Sequence, residues 1–182
     1  LLHVWIGSFL AGAFLVLSVN AYYILKKRHL NIAKPAFKIA LLVATVFSVA
    51  QLFMGHRSAD GVSKNQPAKL AALEGHYDST AVADMYLFGW VNNETQTTTG
   101  LKIPGGLSFL IHGDFEKEVI GLNAFNPEDR PTQVNAIFQF YHLMVAIGLA
   151  LIALTLYASW QWRKGKLYDK RWLMSIFVRS VL

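Results

Sequence analysis

The sequence contains no cysteine among its 182 residues, and only 15% of them are charged. The absence of cysteine excludes disulfide bonds, thiolate zinc sites, iron–sulfur clusters and a cysteine nucleophile. Soluble domains have about a quarter of their residues charged, so this chain has too few charges for an ordinary water-soluble globule. With 54% hydrophobic residues, the composition also excludes a disordered chain and favours a membrane protein.

The chain also lacks the sequence patterns of several common enzyme classes. It contains no glycine-rich dinucleotide motif, no P-loop, no GxSxG elbow and no HExxH zinc motif. Its net charge of +6 could suit a nucleic-acid partner. However, the positive excess is concentrated in residues 26–38 and 163–171, which border apolar runs. This placement is typical of short loops beside membrane spans, so we predict no nucleic-acid partner.

Long uncharged runs predict the membrane spans. The three runs are residues 1–25, 39–55 and 134–162. At about 1.5 Å per residue, a span needs about 20 residues, so the second run suffices only if Phe37 is included and Lys38 snorkels. A further apolar stretch begins within residues 172–182. We therefore predict an all-α membrane protein, a bundle of three transmembrane helices plus the start of a fourth.

The basic clusters predict the orientation of these spans. Loops rich in lysine and arginine face the cytoplasm, which places 26–38 and 163–171 inside. The segment 55–133, which holds most of the acidic residues, then lies outside. We predict five segments: two spans with their loop (1–54), the outer loop (55–133), a span (134–162), a basic loop (163–171) and the start of a further span (172–182). Because the sequence starts and stops within apolar runs, we expect a piece of a larger membrane subunit, or one part of a split one.

Two side chains in the predicted spans are candidate ligands, and such polar or ligating residues are functional candidates by default. His3 and Met144 are each followed four residues later by a glycine, at Gly7 and Gly148, which leaves room for a flat ring on the same helix face. A histidine and a methionine from two helices form a known axial pair for low-spin haem. The alternatives are a packing role for Met144 and a hydrogen-bonded buried histidine for His3.

His142 competes with Met144 for this role. Residues two apart on a helix point about 200° apart, so His142 and Met144 cannot bind one iron together. A site formed by His3 and His142 remains possible on spacing alone, although Ala146 stands where a glycine follows Met144. If Met144 is the ligand, His142 could contact a haem propionate or a phosphate headgroup.

The outer segment contains one clear helix candidate, Pro67–Glu74. Pro67 suits the first helical position, and Gly75 suits the position after the last turn. Asn65 or Gln66 is the expected N-cap. The helix is therefore predicted with both ends defined by the sequence.

Chemistry on this helix depends on which residues share a face. Gln66 and Lys69 share one, whereas Lys69 and Glu74, five residues apart, do not. Proton acceptors and hydrogen-bonding groups near the membrane surface would suit a substrate that releases protons when it is oxidised. A solvated helix with scattered charges is the alternative.

Residues 92–100, rich in Asn, Thr and Gln, are predicted to form a polar loop.

Two stretches resemble subunit I of the cytochrome bd-type quinol oxidases. Gly55 and Ser58, followed by QPAKLAALE at 66–74, resemble the family's G-x-x-S…Q-x-x-K-L-A-A-x-E start of the quinol loop. The stretch from Asp129-Arg130-Pro131 to FQFYHLMV at 138–145 resembles the start of the next span of the family. The resemblance covers nearly the whole chain.

The resemblance implies specific roles. His3 and Met144 match the axial ligands of the low-spin haem b, while Lys69 and Glu74 match residues implicated in quinol oxidation, with Gln66 beside them. The high-spin haem b and haem d are expected on the rest of the complex. Implied partners are quinol, the remainder of subunit I, subunit II, small single-helix subunits and membrane lipid, in a prokaryotic cytoplasmic membrane.

The implied activity is quinol:oxygen oxidoreduction by the whole complex, in which this chain alone lacks the oxygen-reducing site. Two rival hypotheses remain at this point. One is a non-oxidase membrane b-type cytochrome that passes quinol electrons to another acceptor. The other is a cofactor-free membrane scaffold fragment. Haem content separates the scaffold from the other two, and oxygen uptake separates the oxidase from the non-oxidase cytochrome.

Overall fold

The computed structural model describes residues 1–181 and is mainly helical. Its helices are α1 (Leu2–Leu25), α2 (Leu30–Asn65), α3 (Pro67–Glu74), α4 (Gly106–His112), α5 (Val134–Arg163) and α6 (Arg171–Arg179), and its strands are β1 (Met85–Asn92) and β2 (Thr97–Ile103). Within residues 1–181, three helices (α1, α2 and α5) are long and apolar enough to cross a membrane. The predicted class, an all-α membrane protein with three transmembrane helices, is confirmed. Most of the predicted start of a fourth span, 172–182, lies on α6, and Leu182 is outside the described residues.

Helix α2 is longer than the apolar run that predicted it. It begins at Leu30 and continues to Asn65, well beyond the end of the uncharged residues. In this polar extension the carboxylate of Asp60 and the ammonium of Lys64, one turn apart, lie 2.9 Å from each other. Such pairs support a helix on its exposed surface. The apolar run therefore locates the span but not the ends of the helix.

The chain divides into two compact units, the first formed by residues 1–55 with the chain from Gly148 onward, and the second by residues 56–147. The core of the first unit contains buried residues from four helices: Phe14, Leu17, Phe37, Leu41, Ala158, Leu173 and Phe177. The rings of Phe37 and Phe177 meet edge to face with centroids 5.1 Å apart. The hydroxyl of Ser18 on α1 donates to the carbonyl of Val178 on α6 at 2.8 Å. Packing and one polar contact thus attach α6 to its neighbours.

A row of hydroxyl groups joins α2 to α5 in the first unit. The hydroxyls of Thr45 and Ser159 lie 2.9 Å apart, and those of Ser48 and Thr155 lie 3.2 Å apart. Ser48 and Thr155 are fully buried. Between membrane helices, side-chain hydrogen bonds of this kind add to van der Waals packing. They fix the position of one helix along the other.

In the second unit, α3 has the bounds that the sequence predicted. Gln66 occupies the N-cap position, and Gly75 follows the helix with a φ of +61°. A Cβ atom on Gly75 would lie 2.8 Å from both Thr98 Oγ1 and Val91 Cγ2. Glycine is therefore required here both by the left-handed backbone and by the close approach of the hairpin.

The two strands form an antiparallel hairpin that the sequence analysis missed. The prediction of a polar loop over residues 92–100 is wrong, because only residues 93–96 form the turn and residues 97–100 belong to β2. Asn92 starts the turn, since its side-chain oxygen accepts hydrogen bonds from the backbone N–H groups of Glu94 and Thr95 at 2.9 and 3.1 Å. The three threonines that follow are β-branched and favour a strand.

The free edge of β1 is hydrogen-bonded by side chains from the first turns of α5. The side-chain oxygen of Asn135 accepts from the backbone N–H of Val91 at 3.1 Å. One turn later, the amide of Gln139 donates to the carbonyl of Gly89 at 2.7 Å. Polar residues at the start of the third span thus have backbone partners on the hairpin, which places the hairpin beside α3 and the beginning of α5.

Candidate functional site

Glu74, the last residue of α3, is a buried carboxylic acid. Its side chain is 3% exposed, and its Oε2 atom has no hydrogen-bond partner among the described residues. Burial raises the pKa of Glu74 to about 7, and a hydrogen bond from the Tyr141 hydroxyl acts in the opposite direction. Because burial in an apolar environment disfavours the charged form of a carboxyl group, Glu74 is suited to accept a proton near neutral pH.

The packing of α3 explains why this acid is buried. Ala71 and Ala72 lie in the hydrophobic cluster of the second unit, together with Leu122 and Phe138. Glu74 is one turn after Leu70 and Ala71, so it faces the same interior. Thr98 of β2 donates a hydrogen bond of 2.6 Å to the carbonyl of Gly75. The hairpin therefore fixes the end of the helix at the residue that follows the acid.

The other two predicted residues of this helix lie on its outer surface. Gln66 and Lys69 are both exposed, whereas Glu74 is buried. The structure therefore does not bring Lys69 and Glu74 together on one face of α3. Lys69 is positioned to meet a ligand from the solvent side, and Glu74 is positioned to act in the interior.

Tyr141 is a site residue that the sequence analysis did not select. It lies on α5, with its hydroxyl at the Glu74 carboxyl. Tyr141 also lines an open, mostly apolar concavity of about 540 Å³, together with Leu73, Gln133, Phe140 and Met144. The sequence signal that could have identified Tyr141 is its position three residues before the candidate ligand Met144, because residues at this spacing share a helix face. The concavity therefore adjoins both the partner of the acid and the methionine.

The Tyr141 hydroxyl should set the pH at which Glu74 accepts a proton. Since its hydrogen bond lowers the pKa of Glu74, Tyr141→Phe should raise that pKa above about 7. If deprotonated Glu74 is required for quinol oxidation, the rise of the rate with pH should move to higher pH in this variant. Single-turnover rates across neutral pH measure the shift. Tyr77→Phe is the matched control, because the Tyr77 hydroxyl contacts Asn93. An unchanged profile for Tyr141→Phe would remove Tyr141 from the site.

His3 lies in the first unit against α2. Its Nε2 atom is 3.2 Å from the side-chain amide nitrogen of Gln51, and its Nδ1 atom is buried without a partner in the described part of the chain. A Cβ atom on Gly55 would lie 3.8 Å from His3 Cε1. The contact with Gln51 agrees with the alternative interpretation of His3 as a buried, hydrogen-bonded histidine. The unpartnered nitrogen is a potential metal ligand. Haem ligation by His3 therefore stays a prediction, and it would require Nε2 to exchange the Gln51 contact for the iron.

Met144 lies in the second unit, and its side chain is 61% exposed. Most of the neighbouring side chains of α5 are exposed as well, among them Phe140 and Leu143. Along the same helix, a Cβ atom at Gly148 would meet nothing within 4 Å, whereas one at Gly7 of α1 would lie 3.4 Å from the Gln51 amide. The space predicted beside each glycine is therefore present at Gly148. At Gly7 the Gln51 side chain lies next to the glycine.

His142 has a partner at each ring nitrogen. Nδ1 lies 2.9 Å from the carbonyl oxygen of Phe138, and Nε2 lies 2.8 Å from that of Tyr86. The imidazole also stacks on the Phe138 ring, with centroids 3.9 Å apart. An axial bond from His142 would require breaking one of these hydrogen bonds, which favours Met144 over His142 as the second ligand.

The fold and these residues define a class, that of helical membrane proteins with a short helix outside the spans that carries a buried acid. The chain matches the family described as cytochrome bd terminal oxidase subunit I over residues 1–182. It belongs to this family.

Three relatives illustrate the match. A Bacillus subtilis protein, named as a candidate cytochrome bd menaquinol oxidase subunit I, is 33% identical over 98% of this chain and 41% of its own length. The cytochrome bd ubiquinol oxidase subunit 1 of the same organism is 28% identical over 98% of this chain and 40% of its own. The structure of bd oxidase from Geobacillus thermodenitrificans matches with a TM-score of 0.85 and 28% identity, over 98% of this chain and 41% of that one. The chain thus spans about two fifths of the length of these relatives.

Proposed function

We propose that this chain is the quinol-oxidising part of a cytochrome bd-type terminal oxidase. It would oxidise quinol at the outer membrane face and pass the electrons to a low-spin haem b, from which they reach oxygen elsewhere in the complex. The observation that carries the proposal is the buried Glu74 carboxyl with its unpartnered Oε2 atom. The relatives named as menaquinol and ubiquinol oxidase subunits support the choice of substrate class.

In this proposal Glu74 accepts or relays one of the two quinol protons. Conversion of a quinol to a quinone removes two protons and two electrons, and each O–H proton needs a base within reach. With its pKa raised to about 7 by burial, Glu74 is close to the optimum for a general base at neutral pH. Tyr141 lies beside the carboxyl, where its hydroxyl lowers the pKa of Glu74. Lys69 and Gln66 bind and orient the polar end of the quinol from the exposed face of α3.

His3 and Met144 would hold the haem that receives the electrons. When bound between a histidine nitrogen and a methionine sulfur, haem iron supplies a one-electron acceptor. The resemblance of the sequence to the family supports this pair, as do the carbonyl partners that occupy both ring nitrogens of the competing His142. The high-spin haem b and haem d belong to the remainder of the complex in this proposal.

The partners follow from the same proposal. They are quinol, the remainder of subunit I, subunit II, small single-helix subunits and lipid of a prokaryotic cytoplasmic membrane. Protons released outside by quinol, set against protons consumed from inside during oxygen reduction, would build a proton gradient without a separate pump.

The role of Lys69 tests the proposed substrate. A charged ammonium can only donate hydrogen bonds, so Lys69 can bind a quinol oxygen but cannot take its proton. In the intact complex, Lys69→Leu should raise the apparent KM for quinol more than it lowers the limiting rate. Steady-state oxygen uptake at varied quinol concentration measures both quantities. Lys64→Leu, at another exposed lysine, should leave the KM at the parent value. If KM is unchanged in Lys69→Leu, quinol does not bind on this face.

The orientation of the chain is tested separately. Because the basic loops are expected inside, a protease should cut the segment 55–133 in right-side-out vesicles and leave it intact in sealed inside-out vesicles. Cleavage at the exposed hairpin turn, residues 93–96, can be identified by the mass of the fragments. Cutting found only in inside-out vesicles would contradict the release of protons to the outer face.

A further inference from the structure

The first unit contains an open groove between α5 and α6 that no part of the proposed function uses. Its volume is about 630 Å³, and its walls are almost entirely apolar. The lining includes Ala150, Ala153 and Tyr157 from α5 and Trp172, Ile176 and Arg179 from α6. The two alanines leave space where larger side chains would close the gap.

One end of the groove carries an ammonium group. Lys170 Nζ donates a hydrogen bond of 2.7 Å to the Tyr157 hydroxyl and lies 5.4 Å from the centre of that ring. It also lies 6.0 Å from the centre of the Trp172 ring. Because Tyr157 and Trp172 both line the groove, the positive charge of Lys170 stands at its aromatic end.

This charge is not neutralised by a carboxylate. In residues 1–181 the ion pairs are Lys64 with Asp60 and Lys102 with Asp84, which lie in the second unit. A second lysine nearby, Lys164, stands 3.7 Å from the centre of the Trp160 ring. The aromatic end of the groove therefore combines cations that lack an anionic partner with rings that typically lie at a membrane interface.

The two walls of the groove have similar lengths. From Tyr157 to Ala150 on α5, and from Trp172 to Arg179 on α6, the walls each extend for about 10 Å. Arg179 lines the groove near the end away from Lys170.

We propose that this groove binds one anionic phospholipid, with its phosphate at Lys170 and an acyl chain between α5 and α6. Basic pockets between membrane helices on the cytoplasmic side bind acidic headgroups in this way. The charge selects an anionic lipid over a zwitterionic one, and the apolar walls select an acyl chain. The site does not depend on the quinol chemistry, because none of its residues belongs to that site.

Native mass spectrometry of the intact complex tests this site. Complexes equilibrated with phosphatidylglycerol should retain a tightly held lipid that phosphatidylcholine of the same chain length does not displace. Lys170→Gln should weaken retention about fivefold, the effect of one basic residue near an anionic surface. Lys166→Gln is the matched control, since Lys166 is an exposed lysine of the same loop, whereas Lys170 contacts the groove residues Tyr157 and Trp172. Equal losses in both variants would indicate diffuse charge attraction and overturn the site.

A second variant tests the groove itself without changing charge. Ala153→Leu fills the apolar groove, so retention of phosphatidylglycerol should fall although Lys170 and Lys164 remain. Unaltered retention, or equal displacement by phosphatidylcholine, would overturn the proposal, as would the absence of any retained lipid in the parent complex. Lipid retention is measured on assembled complexes whatever their rate of quinol oxidation, so failure here is distinguishable from failure of the quinol site.

Discussion

Replacing Glu74 by glutamine should slow quinol-driven haem reduction in the intact complex by at least about 100-fold, the range typical of positioned general bases. Glutamine keeps the shape of the side chain and its capacity to form hydrogen bonds, but it cannot accept a proton at neutral pH. Because Glu74 is buried, this substitution removes an internal carboxyl group and not a charge at the protein surface. Stopped-flow measurement of haem reduction by quinol gives the rate directly.

The electron donor separates a defect in proton transfer from a defect in the haem site. An artificial one-electron donor that bypasses the quinol site should reduce the haem normally in Glu74→Gln. Glu94→Gln is the matched control, because Glu94 is an exposed glutamate in the hairpin turn of the same unit. If Glu74→Gln and Glu94→Gln both oxidise quinol at the parent rate, α3 is only a structural element and the proposed proton acceptor is wrong.

Local sequence signals predicted α3 and the three spanning helices because their determinants are local. The proline at the first helical position and the glycine after the last turn define α3 without any tertiary contact. A long uncharged run likewise predicts a spanning helix through length and composition alone. The same signals placed Lys69 and Glu74 on different faces, and the structure has one exposed and the other buried.

The hairpin and Tyr141 could not be found in this way, since both depend on contacts between distant residues. The edge of β1 is completed by Asn135 and Gln139, which are more than 40 residues away in the sequence. The burial of Glu74 likewise depends on α5, whose side chains are read from the sequence only as parts of a span. Spacing on one helix cannot show that an acid on α3 meets a tyrosine on α5. The ring contacts of His142 are also tertiary, so spacing alone left His142 and Met144 as competing ligands.

Met144→Leu should convert the low-spin haem of the intact complex to a high-spin form while the complex still assembles. Leucine has nearly the size and polarity of methionine, so packing is retained, but it has no sulfur lone pair and leaves one axial position of the iron without a protein ligand. The side chain is 61% exposed, which limits any loss of core packing. Optical and electron paramagnetic resonance spectra of the purified complex distinguish the two spin states.

Two further variants decide which side chain is the second ligand. Met54→Leu changes another methionine on a spanning helix and should leave the low-spin spectrum unchanged. His142→Leu should also retain it, because both ring nitrogens of His142 already lie at hydrogen-bonding distance from carbonyl oxygens. A low-spin spectrum that persists in Met144→Leu and disappears in His142→Leu would instead mean a site formed by His3 and His142. Loss in Met54→Leu alone would move the ligand to α2, where Gly55 lies beside the His3 ring.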